Sequence, residues 1–446
     1  MNVFIFRRDY RIDDNTTLIK SVTNNKILPI FIFTPEQIKN NIYKSDNAIQ
    51  FIIESLKDLD KQFKKFNSRL HIFFGDNLEI LNKINAISKI NKIYFNKDYS
   101  KYAKKRDQII SKHYNTEIYE DYLLHNMGTL LKKDGSMYKV FTPFYNNSKK
   151  YDIEKPNRFN FNKNMFIKQK FTFEIKLNDI GKYYNFNKNI FLKGGRLEAI
   201  NRLNSVNLNN YNLTRNTPSK ETSYLSSYIK FGCVSIREVY FQFKQKYSSD
   251  NQIFSQLYWR EFYYYVINYN PDILSKPFNK KYSKIKWDNN KNYLQAWKDG
   301  NTGFPFVDAF MRQLNETGYM PNRGRLLVSN FLIKLLLIDW KQGEKYFAQK
   351  LIDYDPAVNN GNWQWVSGTG VDYQPSFRIL NPWTQIQKYD PECEYIKKWL
   401  PELKNISKKE IINWYKLCDN YDIYSKPIVN YEDARKRGLE IYSKKI

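Results

Sequence analysis

The hydrophobic pattern of the chain differs between its two ends, and this difference limits the folds that the chain can adopt. Before residue 126, short apolar runs alternate with helical patterns, and the runs lie at 3–6, 28–33, 70–74 and 92–95. The clearest of the helical patterns covers residues 48–66. This βαβ alternation predicts a parallel sheet with helices on both faces. After Gly194 and Gly195 the apolar spacing is helical to the end.

The predicted fold class is therefore α/β, with a doubly wound parallel-sheet domain at 1–125 and a larger all-α domain at 191–446. Residues 126–190 are rich in Lys, Asn and Phe and lack clear periodicity, which predicts a connector that wraps the surface. A helical domain of this size can enclose a ligand pocket between its helices. Its amphipathic stretches lie at 196–203, 235–246, 253–267, 306–317, 325–340 and 344–352.

The charge of the chain favours a polyanionic partner. The 72 Lys and Arg residues against 45 Asp and Glu residues give a formal net charge of +27. Neutralising phosphates releases counterions, so nucleic acid is a suitable partner. A drift in composition toward Lys, Asn, Ile and Tyr would produce the same charge. Charge by itself therefore leaves nucleic-acid binding open.

The positions of Cys and His exclude several kinds of site. The three Cys residues lie far apart, which excludes a disulfide framework and a four-Cys metal cluster and is typical of a reducing compartment. All three His residues lie in the first third of the chain, so histidine chemistry in the helical domain is excluded. The residues are Cys233, Cys393, Cys418, His71, His113 and His125.

The N-terminus, MNVFIFRRD, is typical of a strand and not of a signal peptide. No apolar run reaches the length of a membrane span. We therefore expect a soluble intracellular protein, in the cytoplasm or the nucleus, that acts as a monomer.

The stretch DYDPAVNNGNWQW carries the most informative local pattern. Asp355 followed by Pro356 predicts a helix start, because Asp can cap free amides and Pro is tolerated at the first helical position. Asp355, Asn359 and Trp363 then follow at four-residue steps and share one face. Trp365 lies about 200° round the helix from Trp363 and faces elsewhere.

Aromatic residues on a helix are most often part of the core. The polar residues in line with Trp363 are harder to explain in that way, because buried Asp and Asn side chains need hydrogen-bond partners. A flat polar ligand such as a flavin would supply those partners.

Further polar clusters lie in the helical domain, although helix capping or a solvated helix face would explain each of them alone. Residues 222–226 open a helix with hydroxyls and free amides, a suitable place for a phosphate. Arg325 is a candidate ion partner for Asp353, because a buried carboxylate needs one. The remaining members are Tyr211, Arg215, Gln256, Trp259, Arg260, Asn322 and Arg323.

The first strand is followed by RRDYRIDDNTTL. Arg and Asp residues that leave a parallel strand lie at the edge where such folds bind ligands. The stretch lacks a glycine-rich phosphate loop, so an ordinary dinucleotide site is not expected.

Taken together and in this order, these segments resemble the photolyase/cryptochrome family over nearly the whole chain. The resemblance implies an N-terminal antenna-chromophore domain and a helical domain that binds FAD. It rests on FRRDYRIDDNTTL, VFTPF (140–144), TSYLS (222–226), FGCVS (231–235), LYWREFYYY (257–265), AWKDGNTGFPFVDAFMRQL (296–314), NRGR (322–325), IDYDPAVNNGNWQW (352–365) and YDPECEYIKKWLPEL (389–403).

The resemblance also implies roles for individual residues. Trp363, Trp340 and Trp287 match an electron relay to the flavin, and Asn359 matches the residue beside flavin N5. Arg215, Gln256, Trp259, Asn322 and Trp365 match the lesion side, where Gln256 takes a catalytic position. The FAD side comprises Tyr211, Thr222, Ser223, Leu225, Ser226, Trp259, Asn322, Arg325, Asp353, Asp355 and Asn359.

The implied activity is light-dependent DNA repair, in which reduced FAD excited by blue light passes an electron to a flipped-out cyclobutane pyrimidine dimer and splits it. A second antenna chromophore, a folate or a deazaflavin, is also implied, without metal.

Three alternatives remain open at this point. Gln256 is typical of (6-4) photolyases, but those enzymes use a His at the position of Asn322. A blue-light receptor of the cryptochrome kind would be expected to carry a long extension after WLPEL, and the sequence offers none. A basic single-strand nucleic-acid binder would explain the charge but not the Asp353–Asn359 pattern.

Overall fold

The computed structural model describes residues 1–22, 26–373 and 378–443. Its N-terminal part contains a five-stranded parallel sheet in the order β3-β2-β1-β4-β5. The predicted parallel sheet is therefore confirmed, with one strand, β5, that the sequence pattern missed because its four residues are only half-buried. The strands are β1 (Asn2–Phe6), β2 (Ile27–Phe33), β3 (His71–Phe74), β4 (Lys92–Asn96) and β5 (Thr116–Tyr119).

Helices join the strands, as the alternating pattern predicted. The helix expected at 48–66 is observed as Asp46–Lys64, and the Ser45 hydroxyl caps it by accepting from the amide of Ala48. Polar N-caps of this kind satisfy amides that have no partner inside the helix. The helices of this part are α1 (Thr16–Val22), α2 (Pro35–Ile38), α3 (Asp46–Lys64), α4 (Asn77–Ile87) and α5 (Lys101–His113).

The stretch expected to be a connector is largely irregular, and part of it runs along the sheet. The amide of Ile167 donates to the carbonyl of Ile27 and that of Ile175 donates to the carbonyl of Ile72, both at 2.9 Å. The stretch also holds 3-10 turns at Lys163–Met165 and Leu177–Tyr183 and one helix, α6 (Phe141–Ser148), which the sequence pattern did not predict.

The remainder of the chain is helical, which confirms the predicted fold class. The helices are α7 (Arg196–Ser205), α8 (Tyr211–Thr214), α9 (Ser226–Lys230), α10 (Ile236–Lys246), α11 (Ile253–Tyr269), α12 (Lys291–Asp299), α13 (Pro305–Thr317), α14 (Asn322–Asn330), α15 (Trp340–Lys350), α16 (Pro356–Ser367), α17 (Pro382–Tyr389), α18 (Glu394–Trp399), α19 (Lys408–Ile412), α20 (Trp414–Leu417) and α21 (Tyr431–Ser443). Short 3-10 turns lie at Lys280–Lys284, Pro401–Leu403 and Cys418–Asn420.

The prediction of one continuous helix at 325–340 was wrong. Helix α14 ends at Asn330, a π-helical turn follows at Phe331–Leu335, and Leu337 has a φ of 50°. Asp339 then caps α15 by accepting from the amide of Lys341. The break was hidden in the sequence because this segment is buried on every side, so its apolar residues do not show which face is turned inward.

A buried ion network joins the sheet part to the helical part. Arg11 pairs with Asp121 at 2.5 Å, and Arg237 pairs with both Asp14 and Asp121 at 3.1 and 2.9 Å. Burial would raise the pKa of Asp121, but Arg11 and Arg237 outweigh it and hold that pKa well below its usual value. Two arginines and two carboxylates thus balance one another at this junction.

Candidate functional site

Helix α16 begins where the sequence predicted. The Asp355 carboxylate accepts from the amides of Ala357 and Val358 at 3.0 and 3.3 Å, and Pro356 occupies the first helical position. Trp363 is 2% exposed within the second hydrophobic cluster, while Trp365 is half-buried. The structure therefore separates the two indoles as expected.

Asn359 is held in one orientation by helix α15. Its Nδ2 donates to the Glu344 carboxylate at 3.0 Å and to the Glu344 carbonyl at 3.2 Å. The Asn359 Oδ1 atom has no partner among the described residues and can accept from a ligand. Burial raises the pKa of Glu344 to about 7.

Glu344 is a site residue that the sequence reasoning missed. It is 4% exposed, although it belongs to WKQGEKYF, where several neighbours are charged. Its position four residues after Trp340 places it on the buried face of α15, and this was the available signal.

Arg325 and Asp353 form the ion pair expected from the sequence. Arg325 donates through one nitrogen to both Asp353 oxygens, at 3.0 and 2.9 Å, and through Nε to the carbonyl of Met320 at 2.9 Å. The Asp353 side chain is 7% exposed. We call Arg325, Glu344, Asp353 and Asn359 the α16 site.

The hydroxyl-rich stretch at 222–226 lies mostly ahead of the short helix α9. Arg202 fastens it by donating to the carbonyls of Thr222 and Ser223 at 2.5 and 2.8 Å. Within the described part of the chain, the hydroxyls of Ser223 and Ser226 make no hydrogen bond to another residue. The side chains of Tyr211 and Leu225, which the resemblance also assigns to the FAD side, are buried. Arg202 was also missed from the sequence, because its partners are backbone carbonyls.

The second oxygen of Asp355 is directed toward the sheet part of the molecule. It accepts from the Tyr264 hydroxyl at 2.6 Å and from Arg8 at 3.3 Å, and Lys230 lies 3.8 Å away. Burial would raise the pKa of Asp355, but Lys230, Arg8 and Arg260 outweigh it and lower that pKa. Asp355 therefore caps α16 and ties it to the strand end of β1.

The three tryptophans that the resemblance assigns to an electron relay lie on α16, at the start of α15 and on a segment bonded to the residues before α15. A Cβ atom at Gly343 would lie 2.2 Å from Trp363 Cη2, and Gly343 is three residues after Trp340 on α15. Asp288, next to half-buried Trp287, donates its amide to the carbonyl of Leu337, just before α15. Trp363 and Trp340 are both 2% exposed, so only Trp287 reaches toward solvent.

Trp363 has a further aromatic neighbour that the sequence did not single out. The Trp297 ring is 6.3 Å from the Trp363 ring and edge-on to it, and Trp297 is fully buried. Its indole nitrogen donates to the carbonyl of Val328 at 3.0 Å. That bond and the burial are sufficient to explain Trp297 as core.

Trp259, which the resemblance assigns to the lesion side, has one ring face covered. Phe141 of helix α6 stacks on it at 3.8 Å between centroids, with the planes 8° apart. Gln256 lies three residues earlier on α11 and is half-buried. Phe141 of the motif VFTPF thus packs against Trp259. Sequence spacing could not predict this contact, because the two residues lie on different helices.

Two further contacts involve Arg215, Asn216 and residues close in sequence to Gln256 and Asn322. Arg215 donates to Gln252, one turn before Gln256, at 2.7 Å, and Asn216 accepts from Arg323 at 2.8 Å. Arg323 follows Asn322, which is exposed at the start of α14. The segment after α8 therefore links the beginnings of α11 and α14.

A cavity of about 560 Å³ opens at the carboxyl ends of β1, β2 and β4, and residues of the helical part form one of its walls. This is the edge at which parallel sheets bind ligands. Its walls combine cations with aromatic and aliphatic side chains. The sheet-edge cavity, as we name it, is lined among others by Arg7, Arg8, Tyr10, Phe31, Tyr43, Asp98, Arg106, Lys230, Tyr354 and Asp355.

Comparison with known proteins agrees with this geometry. Residues 2–159 match the family model of DNA photolyase, and residues 253–444 match the FAD binding domain of DNA photolyase. A deoxyribodipyrimidine photo-lyase of Buchnera aphidicola subsp. Baizongia pistaciae is 34% identical, over 99% of this chain and 98% of its own length. The chain belongs to the DNA photolyase family.

Solved structures of the family have the same fold. An archaeal photolyase from Sulfolobus tokodaii, solved with two FAD molecules, is 38% identical with a TM-score of 0.90, and the match covers 99% of each chain. A class III photolyase from Agrobacterium tumefaciens is 29% identical with a TM-score of 0.91, and the match covers 99% of this chain and 97% of the other.

Two kinds of feature are absent from the residues that the structure describes. None of their helices has both the length and the apolar character needed to cross a bilayer. No group of three or more His, Cys, Asp or Glu side chains among them could hold a metal ion.

Proposed function

We propose that this protein is a deoxyribodipyrimidine photo-lyase that repairs cyclobutane pyrimidine dimers in DNA in the light. The observation that carries the proposal is the α16 site, where Glu344 orients Asn359 beside the Arg325–Asp353 pair. The site lies in a chain that aligns with deoxyribodipyrimidine photo-lyases over nearly its whole length.

The donor set of the helical part fits FAD. Asn359 offers a carbonyl oxygen held in place by Glu344, the Arg325–Asp353 pair offers charge and hydrogen-bonding groups, and Ser223 and Ser226 offer free hydroxyls for a phosphate-bearing chain. When bound, the reduced flavin supplies the light-excited electron that splits the joined bases. The residues assigned to FAD are Tyr211, Thr222, Ser223, Leu225, Ser226, Trp259, Asn322, Arg325, Asp353, Asp355 and Asn359.

The lesion would be held by stacking and amide contacts. The face of Trp259 that Phe141 leaves open and the half-buried Trp365 would stack on a flipped dimer, while Gln256 and Asn322 would hydrogen-bond its edges. Arg215 would approach the backbone. Since every His of the chain lies at or before residue 125, the helical part has no imidazole for the acid–base step of (6-4) repair.

The charge of +27 would provide the non-specific part of DNA binding, and we expect affinity to fall steeply with salt. We further propose that the protein acts as a monomer, with an antenna domain at 1–125, a connector at 126–190 and the catalytic domain at 191–446.

Trp363, Trp340 and Trp287 would re-reduce the flavin. Trp363 and Trp340 are buried and Trp287 is partly exposed, so electrons would pass from a residue near solvent to buried ones. An external thiol would then replace the electron that leaves Trp287.

The sheet-edge cavity would hold the second chromophore. Its volume of about 560 Å³ falls in the roughly 300–1,000 Å³ range of ligand pockets. The sequence left a folate and a deazaflavin open. We now propose a flavin in place of both. The cavity wall combines cations with aromatic rings, and the Sulfolobus tokodaii relative was solved with two FAD molecules.

The test is light-dependent repair by purified, photoreduced protein on two oligonucleotides, one with a cyclobutane dimer and one with a (6-4) lesion. We expect the first to be repaired under blue light, and neither to be repaired in the dark. Efficient repair of the (6-4) substrate, or failure on both by protein that contains FAD, would contradict the proposal.

A further inference from the structure

The segment that carries Trp287 is strongly basic. Residues 276–291, KPFNKKYSKIKWDNNK, contain six Lys residues and a single acid, Asp288. Asp288 is already paired with Arg437 of α21. All six lysines are exposed, and within the described part of the chain none of them forms an ion pair. Their charge therefore acts on the solvent side of the segment, where a partner can meet it.

The turn that bears most of these lysines packs beside Trp287. The 3-10 turn at Lys280–Lys284 and Trp287 rest on one ring, that of Tyr442 in α21. The centroid of this ring lies 6.0 Å from that of Tyr282 in the turn and 6.5 Å from that of Trp287. The Tyr442 hydroxyl donates to the carbonyl of Ser367 at 3.0 Å, which fixes the ring. The lysines of the turn are thus held close to the indole.

Hydrogen bonds fix the other side of Trp287 on the start of α15. The amides of Asp288 and Asn289 donate to the carbonyl of Leu337 at 2.9 and 3.4 Å. The Asn289 side chain accepts from the amide of Asp339 at 2.9 Å. The indole is therefore held at a defined place while part of it stays open to solvent.

The elements around Trp287 do not cancel the charge of the lysines. Helix α21 is balanced, with three cations and three acids: Arg435, Lys436, Arg437, Glu432, Asp433 and Glu440. At the start of α15, Asp339 is offset by the nearby Lys341. The surplus thus belongs to the segment itself. We call Lys280, Lys281, Lys284, Lys286 and Lys291 the lysine rim.

The composition of this surface is that of a small electron-transfer interface. Such interfaces are small, with an apolar centre and a polar rim, and charge complementarity brings the partners together. Here the partly exposed Trp287 is the centre. The lysine rim extends from the 3-10 turn to the start of α12, which is wider than the surface that a small anion contacts.

We propose that the lysine rim docks an acidic electron-carrier protein, which gives one electron to Trp287 after the relay has oxidised it. The carrier loses one electron and the Trp287 radical cation gains it, so the neutral indole is restored and no bond is made or broken. An uncharged thiol can make the same transfer, but the lysine rim gives it no advantage. The inference rests on the proposed relay and adds the class of partner that supplies its electrons.

The experiment uses two blue-copper proteins as probes, because each gives one electron from Cu(I) and the two differ in surface charge. The probes are an acidic plastocyanin and a nearly neutral azurin, both reduced. A laser flash oxidises the relay of the FAD-loaded protein, and the decay of the tryptophan radical is followed against probe concentration. We expect a rate constant roughly 10- to 100-fold larger for plastocyanin than for azurin at low salt, and a steep fall of this advantage as salt rises.

Variants then locate the effect. Lys284→Glu and Lys286→Glu should each lower the plastocyanin rate constant by roughly three- to tenfold at low salt and leave the azurin rate constant nearly unchanged. Lys65→Glu is the matched control, because Lys65 is an exposed lysine at the end of α3 that has no ion pair among the described residues. Flavin content and radical yield check that each variant is folded, and the wild-type comparison needs no variant.

Two other occupants of the surface are tested in the same variants. Ascorbate, a small anionic donor, should respond to either lysine change by about twofold at most, because it carries little charge. A response as large as that of plastocyanin would show that the rim selects small anions and not a carrier protein. Loss of affinity for undamaged duplex DNA without slower transfer from plastocyanin would assign the surface to DNA and overturn the proposal.

The remaining outcomes separate the inference from the relay on which it rests. Equal rate constants for the two probes, or a plastocyanin advantage that survives both lysine variants, overturn the docking surface and leave the relay in place. If no tryptophan radical forms, or if Trp287→Phe gives the same long-lived radical, the relay is wrong and the docking surface is wrong with it. Repair by chemically reduced protein is a separate readout.

Discussion

The sheet-edge cavity and the α16 site are neighbours, yet their polar groups are paired to different degrees. At the cavity, Arg7 and Arg106 share one carboxylate and keep unpaired N–H groups. At the α16 site, Asn359 is held by two hydrogen bonds to protein acceptors and Arg325 by three. Polar groups of the first site are therefore left partly unpaired, whereas those of the second are already fixed before a ligand arrives, as reaction chemistry requires.

The two sites are also connected. Asp355 caps α16 and lines the cavity, and Tyr354, next to it, stacks on Tyr43 of the cavity wall at 6.3 Å. A variant that affects one site and leaves the other unchanged would show that their functions are separable. The following four changes are ordered from the largest expected effect to the smallest.

Trp363→Phe should affect reduction of the flavin beside the α16 site without affecting the cavity, and should have the largest effect. Loss of the innermost relay indole should slow light-driven reduction of the flavin by more than an order of magnitude. Repair should persist when the flavin is reduced chemically, and binding of a second flavin at the cavity should not change. The measurement is the rate of flavin bleaching under blue light with a thiol reductant.

Trp365→Phe is the matched control for this prediction, because it removes an indole from the other face of the same helix. It should photoreduce at the normal rate and lose lesion affinity instead. A normal rate of photoreduction in Trp363→Phe would remove this residue from the relay.

Asp353→Asn should lower the stability of the protein at the α16 site. Removing one member of a buried ion pair leaves the other charge unpaired, and we expect a loss of about 3 kcal/mol in the free energy of unfolding. The value is at the low end of the usual range because Arg325 is 27% exposed and water can reach it. Urea unfolding of FAD-free protein measures the loss directly.

Arg106→Met provides the comparison for Asp353→Asn. It removes a surplus cation and leaves Asp107 with Arg7, so it should cost little stability. A larger loss for Arg106→Met than for Asp353→Asn would contradict the contrast between the two sites.

These contacts show which features could be predicted from sequence. The start of α16 and the Arg325–Asp353 pair were predictable, because capping and the need of a buried carboxylate for a cation are local or general rules. The parallel sheet followed from periodicity. The end of α14 was not predictable, since residues buried on all sides carry no helical face.

Other features depend on contacts between distant segments. Glu344 reaches Asn359 only because α15 packs on α16, and the stacking of Phe141 on Trp259 depends on where the connector returns. The surplus charge at Arg7 and Arg106 requires counting neighbours in space, because the sequence around them also contains acids.

Glu344→Gln should change the pH dependence of stability. Burial raises the pKa of Glu344 from 4.5 to about 7, so between those values the folded state binds more protons than the unfolded state. Stability should therefore fall as pH rises through this window, with the full penalty above pH 7. The variant keeps the acceptor for Asn359 and should be more stable than wild type at pH 8 by roughly 1–3 kcal/mol.

The check is urea unfolding of both proteins at pH 5 and pH 8. Near pH 5 the two should be alike, because Glu344 is still protonated in the folded state. The phenols of Tyr43 and Tyr354, which face Glu344, ionise well above this window and should not contribute. A constant difference across the range would mean that Glu344 does not titrate there.

Gln256→Glu should have the smallest effect and concerns the lesion. Gln256 is half-buried on α11, with its amide 3.3 Å from the Ser255 hydroxyl, so the side chain is free to turn toward a base. A hydrogen bond to a ligand is worth about 0.5–1.5 kcal/mol, and more when it is charged. Because a carboxylate offers a charged acceptor at the same place, the variant should keep or improve cyclobutane repair within about tenfold.

The same change should not create (6-4) repair, since a carboxylate at 256 does not replace the imidazole that this chemistry uses at the position of Asn322. Asn322→His tests that side separately, because Asn322 is exposed at the start of α14 and a larger ring can be accommodated there. The measurement is light-dependent repair of both lesions by wild type and by both variants, with binding of a second flavin at the cavity as the unaffected reference. Strong loss of cyclobutane repair in Gln256→Glu would show that the neutral amide is required for recognition of the dimer.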